Sequence, residues 1–511
     1  MVHWQMVSRR CIPQLTGADA RSLIEAQISA HTAGLTSVLA RFNGRHGFHV
    51  WLETIRAIEE FINLPLFGLN PEDGLSEEIV GFGLAMPNPA ALASIRSALV
   101  GKFGEPFAQR FTMTVIQASA IGTAFRMNGL HEAAAGFASI GHAVGYFQSR
   151  RRHLAAILYA LPTAGTGKAK LERLDTINQF LPAIEHSAQT LTGLYQKLML
   201  AEVFPDFTLE VDHAGFAANH DYEPLDSMFL EPERAGIVEM EPAIANGAPE
   251  LEPVDPRLLF SRAELRNNIR LIEAAYAEFD LAGTAFGPVA RMTEASLVGC
   301  EDDYVVKLGR RDFDRLAKEC GLSGATAEMM VHRGGDFVTN INAVAPFIAV
   351  GDSYVSTVTL LGRYLYYWKS ACLNRIRRFQ IRAGFIFESN VKVALAKQGF
   401  TVTEVKRVNR KEFDVVATLD GVIYNLQCKN NLVDLSRIET SPSLFARYNR
   451  RLDRSYARAL AKEEDREQLL KDKLGLGSVR HLVVSRFPVA TVNPRVITFS
   501  HIDRLRERLG V

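Results

Sequence analysis

The feature that most constrains this fold is the dipeptide Asp420-Gly421, set between two apolar, β-branched runs at 413–418 and 422–426. A two-residue type I′ turn needs φ > 0 at both central positions. An Asp-Gly pair accepts this, so flanked by strand-forming runs it specifies a tight hairpin. Pairing the strands about that turn puts Leu419 opposite Val422 and Asp414 opposite Gln427, with Cβ atoms roughly 5 Å apart. Side chains alternate along a strand, so Lys429 shares a face with Gln427 while Cys428 points to the other. A carboxylate, an amide oxygen and an ammonium therefore converge on one sheet face.

Upstream, Glu388, Val391 and Leu395 lie on one helical stripe. A carboxylate on a core-facing stripe is costly unless something satisfies it. If this helix packs on the face that carries Asp414, Glu388 points toward Asp414. In chain order the pieces read GFIFESNVKVALAKQGF, EFDVVA and LQCKN. The ordered set resembles the PD-(D/E)XK nuclease superfamily, the restriction-endonuclease-like fold, and most closely its Mrr-like branch, over about residues 370–511. The resemblance implies an active site of Glu388, Asp414, Gln427 and Lys429. Phe413 stands where the motif's name has proline, and Gln427 where an acid is usual. The resemblance also implies the order helix, three strands, helix, strand, strand, helix. The function implied is DNA phosphodiester hydrolysis in bacterial defence or restriction.

That chemistry suits these residue types. Phosphodiester hydrolysis uses a hard cation to neutralise phosphate charge and to lower the pKa of the attacking water. Mg²⁺ takes oxygen ligands and keeps several waters, so one or two carboxylates suffice. On this reading Asp414 is the central metal ligand, and the Gln427 side-chain oxygen and Cys428 backbone carbonyl add neutral ligands. Glu388 binds the ion through water or holds a second one. Lys429 orients or helps deprotonate the nucleophilic water. With Gln427 neutral, weak Mg²⁺ binding and a preference for Mn²⁺ are expected. The competing readings are a surface hairpin with a solvated ion pair, an inactive nucleic-acid-binding module of a larger assembly, and an RNA-directed nuclease effector.

Charge supports a polyanion partner. The net charge is only +1, but from residue 370 onward 27 Lys+Arg stand against 15 Asp+Glu, leaving 31 against 42 before it. A basic third on an acidic remainder is an electrostatic footprint of nucleic-acid binding. Over 443–473 a helix is expected, with Phe445, Tyr448, Leu452, Tyr456 and Ala459 on one stripe. Arg447, Arg451, Arg454 and Arg458 lie on the opposite one, a row suited to phosphates.

The expected architecture is multi-domain. A mostly α part at 1–219 is followed by an acidic, proline-rich linker at 220–256. A second helical block at 257–369 docks onto an α/β restriction-endonuclease-like domain with a central mixed sheet at 370–511. Residues 221–256 hold ten acids, six prolines and one basic residue, Arg234. Such a segment buries too little apolar surface to offset its ordering entropy. It could alternatively be an acidic strip that covers the basic nuclease surface. The apolar, aromatic stretch 347–379 is expected as the docking element, and the helical part before 370 as the site of oligomerisation or partner recognition. Gly165-Thr166-Gly167-Lys168-Ala169 departs from a phosphate-binding loop, because Pro162 and Ala169 stand where Gly and Ser or Thr are needed. The five scattered cysteines suit a reducing cytoplasm. The apolar stretches at 133–147 and 345–368 are short or interrupted by charge, so no membrane span is expected.

Overall fold

The computed structural model of the chain describes residues 14–63, 69, 71–212, 215–222, 225, 249–255, 257–405, 407–431 and 438–510. It is mostly helical, with a mixed sheet in its C-terminal half. The N-terminal part is built around helix Arg151–Ala164, whose residues 151–161 are all buried. A helix covered on every side must place its polar groups against partners. Its neighbour Gly44–Asn63 supplies Phe48, Trp51, Ile58, Phe61 and Ile62, and the Trp51 indole N–H donates to the Leu154 carbonyl at 3.0 Å.

Three consecutive arginines open that central helix, and each meets a different buried acid. Arg150 pairs with Glu185 at 2.7 Å, Arg151 with Glu59 at 2.8 Å and Arg152 with Glu439 at 2.5 Å. The acids come from helix Leu181–Val203, helix Gly44–Asn63 and the residues just ahead of helix Pro442–Glu464. The helix start is thus an ionic hub that ties the N-terminal half to the C-terminal one.

His153 follows these arginines, fully buried, with neither ring nitrogen hydrogen-bonded. Burial first, then the charges of Arg150 and Arg152, lower its pKa to about 3. An unfolded histidine takes its proton near pH 6.5, so the unfolded state binds more protons across this window. Stability from neutral His153 is therefore present above pH 6.5 and is lost as pH falls toward 3. Between pH 6.5 and 4 we expect the unfolding free energy of the wild type to drop about 3 kcal/mol further than that of His153→Leu, as measured by urea titrations.

The glycines at 165 and 167 serve a backbone crossing. A Cβ on Gly165 would meet Gly44 Cα at 2.4 Å, and one on Gly167 would meet the Arg41 carbonyl oxygen at 2.1 Å. The segment bridges Asn43 through Thr166 and Phe42 through Ala169. Close packing against 41–44 explains this glycine pattern without a phosphate.

Residues 257–369 differ from the helical block that was expected. They carry a four-stranded sheet in the spatial order Val305–Gly309, Ser353–Thr357, Phe347–Val350, Val331–His332. The stretch 347–379 is accordingly not one element but a hairpin followed by helix Val358–Leu373 and the start of helix Arg377–Lys397. Its turn is Gly351-Asp352, with Gly351 at φ 59°, a Gly-first two-residue connection that favours a tight hairpin.

The C-terminal sheet has five strands in the order Val496–Thr498, Ser478–Ser485, Val422–Lys429, Val415–Leu419, Thr401–Thr403. Val415–Leu419 is antiparallel to both of its neighbours, and the first two strands run parallel to Val422–Lys429. Helix Arg377–Lys397 precedes the sheet, helices Pro442–Glu464 and Glu467–Leu474 interrupt it, and helix Leu505–Leu509 ends it. Counting only the strands of this sheet, and taking the two middle helices as one, the order is the expected one. The helix expected over 443–473 breaks at Asp465-Arg466.

The segments expected as separate domains share one cluster of buried apolar side chains, from Ala20 to Val496. Helix Arg377–Lys397 bridges two cores: Phe379, Ala383 and Ile386 join that large cluster, while Phe387, Val391, Ala394 and Leu395 join the core under the sheet. The acidic stretch lies largely outside the described residues. At its described ends, the Tyr222 hydroxyl lies 2.9 Å from Thr498 Oγ1, and Glu252 pairs with Arg266 and Arg270 at 2.8 Å each. Among the described residues no helix is long and apolar enough to cross a membrane.

Candidate active site

The hairpin forms in the expected register. Leu419 faces Val422 and the ladder runs to Val415 opposite Leu426, with Asp420 at φ 49° and Gly421 at φ 75°. One residue further the backbone ladder gives way to side-chain bonds. The Gln427 amide Nε2 and the Cys428 backbone N–H, the latter at 2.8 Å, both donate to Asp414 Oδ2. A strand residue directs its N–H and C=O to the same neighbour, so the Cys428 carbonyl also faces the strand of Asp414. A second turn, Asn409-Arg410, with both residues at positive φ, closes a small hairpin of Arg407–Val408 and Lys411–Glu412 just ahead of Asp414. Nothing in the sequence reading anticipated it, although Asn at the first turn position was a signal.

Asp414, Gln427 and Lys429 are all partly buried. Burial raises the Asp414 pKa above the ordinary carboxylate value. The Cys428 N–H, the Lys429 charge and the Gln427 amide oppose that rise, and the charge of Glu463 adds to it. The Cys428 thiol is pushed well above its usual range by burial, then by the carboxylates of Asp414 and Glu388. Such a thiol stays protonated and is no nucleophile.

Glu388 lies on helix Arg377–Lys397, next to Phe387, which joins the core under the sheet. Helix Arg377–Lys397 packs on the face that carries Tyr424, Leu426 and Cys428, together with Val415 and Ala417. The Gln427–Lys429 face is the other one. There Asn425, two residues before Gln427, donates to Glu463 Oε2 of helix Pro442–Glu464 at 2.9 Å. The physical reason is burial: the apolar alternation 415, 417, 424, 426 needs an apolar helix over it, and the stripe of Val391 and Leu395 provides one. Glu388 is partly buried, and its charge acts on the Cys428 thiol as that of Asp414 does.

Arg447, Arg451, Arg454 and Arg458 are exposed, as expected, with Arg450 beside them. The opposite side of the helix buries Phe445, Leu452, Tyr456 and Leu460. The Tyr456 hydroxyl lies 2.8 Å from Ser485 Oγ and accepts from Asn431 Nδ2 at 2.7 Å, beside the strand end of Lys429. The arginine row thus lies on the side of its helix turned away from the Asp414 cluster.

Several neighbours of the cluster were missed. The Arg486 N–H donates to the Lys429 carbonyl and its guanidinium to Asn430 Oδ1, both at 3.1 Å. Asn425, Glu463 and Arg466 form a polar group on the same face as Gln427. Of these only Asn425, a lone amide in an apolar strand, carried a local signal. Among the described residues no group of three or more His, Cys, Asp and Glu side chains is placed to hold a metal ion. The chain matches no protein-family model, no curated protein and no solved structure.

Proposed function

We propose that this chain is a divalent-metal-dependent endonuclease that hydrolyses DNA, built on a restriction-endonuclease-like core at about 370–511. One observation carries the reading: the hairpin register and two hydrogen bonds gather Gln427 and the Cys428 backbone around the Asp414 carboxylate, with Lys429 on the same strand end. The element order helix, three strands, helix, strand supports the same fold.

The donor set fits Mg²⁺ or Mn²⁺. It consists of a carboxylate, an amide oxygen and a backbone carbonyl, all hard ligands, in a number that leaves the ion several waters. Burial disfavours the ionised Asp414, and a bound cation relieves that cost. Gln427, whose amide nitrogen faces Asp414, would have to present its oxygen to hold the ion. The ion supplies charge neutralisation on the phosphate and a more acidic water. Lys429 holds that water and stabilises developing negative charge. Glu388, whose charge acts on the Cys428 thiol as that of Asp414 does, would bind the ion through water or hold a second one. The exposed arginines bind phosphates away from the cut, and the helical part before residue 370 recognises a partner or a second copy. A cytoplasmic defence or restriction role follows from the resemblance alone.

The test is cleavage of supercoiled DNA, linear DNA and matched RNA with Mg²⁺, with Mn²⁺ and with chelator. DNA cleavage that needs the metal and falls at least about 100-fold in Lys429→Ala, at unchanged Tm, is expected. Salt-sensitive DNA binding with no cleavage of either nucleic acid would replace the enzyme with a binding module.

A further inference from the structure

The break between helices Pro442–Glu464 and Glu467–Leu474 puts Arg466 over the bend that carries Asp414. Its Nη1 donates to the Glu412 carbonyl at 3.2 Å, and its guanidinium carbon lies 5.2 Å from the centre of the buried Phe413 ring. Its Nη2 is bonded to Glu463 Oε1. Glu463 is 2 % exposed, and its other oxygen holds Asn425 Nδ2 at 2.9 Å. One buried ion pair therefore grips both site strands: just before Asp414 on one, and two residues before Gln427 on the other.

We infer that the Glu463–Arg466 pair is the positioning device of the site, fixing the 412–414 bend so that Asp414 meets Gln427 and the Cys428 N–H. The role in catalysis rests on the nuclease reading; the geometric role does not. The distance between the two strands at this point is not set by backbone pairing, because the ladder of 415–419 stops at Val415. A planar guanidinium with donors fixed in a fork can hold a carbonyl, a carboxylate and an aromatic face at once, which an ammonium cannot. The strut also comes from a helix that packs against Leu181–Val203 of the N-terminal half, so the site inherits its alignment from the shared core.

The test uses the full chain and two readouts. In amide hydrogen exchange, Arg466→Met is expected to expose the Cys428 N–H about tenfold faster while the Tyr424 N–H, in the same strand, changes less than twofold. Arg466→Lys should fall between, and so should Glu463→Gln, whose single amide oxygen can accept from only one of Arg466 and Asn425. In cleavage assays kcat should fall 10- to 100-fold in Arg466→Met with KM for DNA within twofold. Equal exchange rates at Cys428 in the wild type and all three variants overturn the inference, whatever the activity. Uniform deprotection of the strand overturns it too, by reducing the pair to general stability. A wild type that does not cleave sinks the nuclease reading and leaves the exchange result to decide the strut.

Discussion

Asp414→Asn is expected to abolish metal-dependent cleavage, by on the order of 10³-fold or more, with DNA affinity within about twofold of the wild type. Removing a single preorganised group that stabilises transition-state charge costs about 10²–10³. Gln427 and the Cys428 N–H both bond the Asp414 carboxylate, so on the proposed reading water activation and charge neutralisation would pass through it. Calorimetry should show that Mn²⁺ binding disappears with it. Stability should move the other way. The folded-state pKa of Asp414 is raised, so its contribution is favourable below the unfolded carboxylate pKa and is lost as pH rises through the folded value. At neutral pH the ionised, desolvated carboxylate is a burden, and the neutral asparagine should hold or raise Tm. A functional group that weakens the fold is an expected cost at an active site. Retained cleavage in Asp414→Asn would remove the Asp414 cluster as the site of the chemistry.

Arg152→Ala is expected to destabilise the chain by about 3–5 kcal/mol, the usual cost of leaving a buried charge without its partner. The buried charge that loses its arginine here is Glu439, 3 % exposed and held by Arg152 at 2.5 and 3.3 Å. Arg152 also reaches Asn342 Oδ1 and the Ile341 carbonyl, so its loss uncouples 341–342 as well. Replacing both members of the pair, Arg152→Met with Glu439→Gln, should cost much less, because buried pairs often exchange for neutral groups with little loss. Chemical denaturation of the singles and the double gives the coupling energy directly. Glu439 precedes the helix that carries Glu463, so the single variant should also loosen the candidate site. A cost under about 1 kcal/mol for Arg152→Ala would mean that water already reaches Glu439.

The hairpin and its register were legible because turn chemistry is local. Asp420 and Gly421 accept left-handed backbone where few pairs do, and the ladder then follows by counting. The exposed arginine row was legible for a similar reason, since a helix repeats every 3.6 residues whatever it packs on. The four-stranded sheet within 257–369 was hidden by short strands of two to five residues, one of them only Val331–His332. The Gly351-Asp352 turn was the available cue.

The sequence by itself determined which residues could meet across the 420–421 turn, and so the pairing of Asp414 with Gln427. Tertiary structure alone decided which face helix Arg377–Lys397 covers. It alone also brought Arg466 and Glu463 to the bend and joined the N-terminal helices to the sheet in one core. The reason is range. Backbone handedness and strand alternation are properties of a few neighbouring residues, whereas the choice between two sheet faces rests on apolar area summed over elements far apart in the chain.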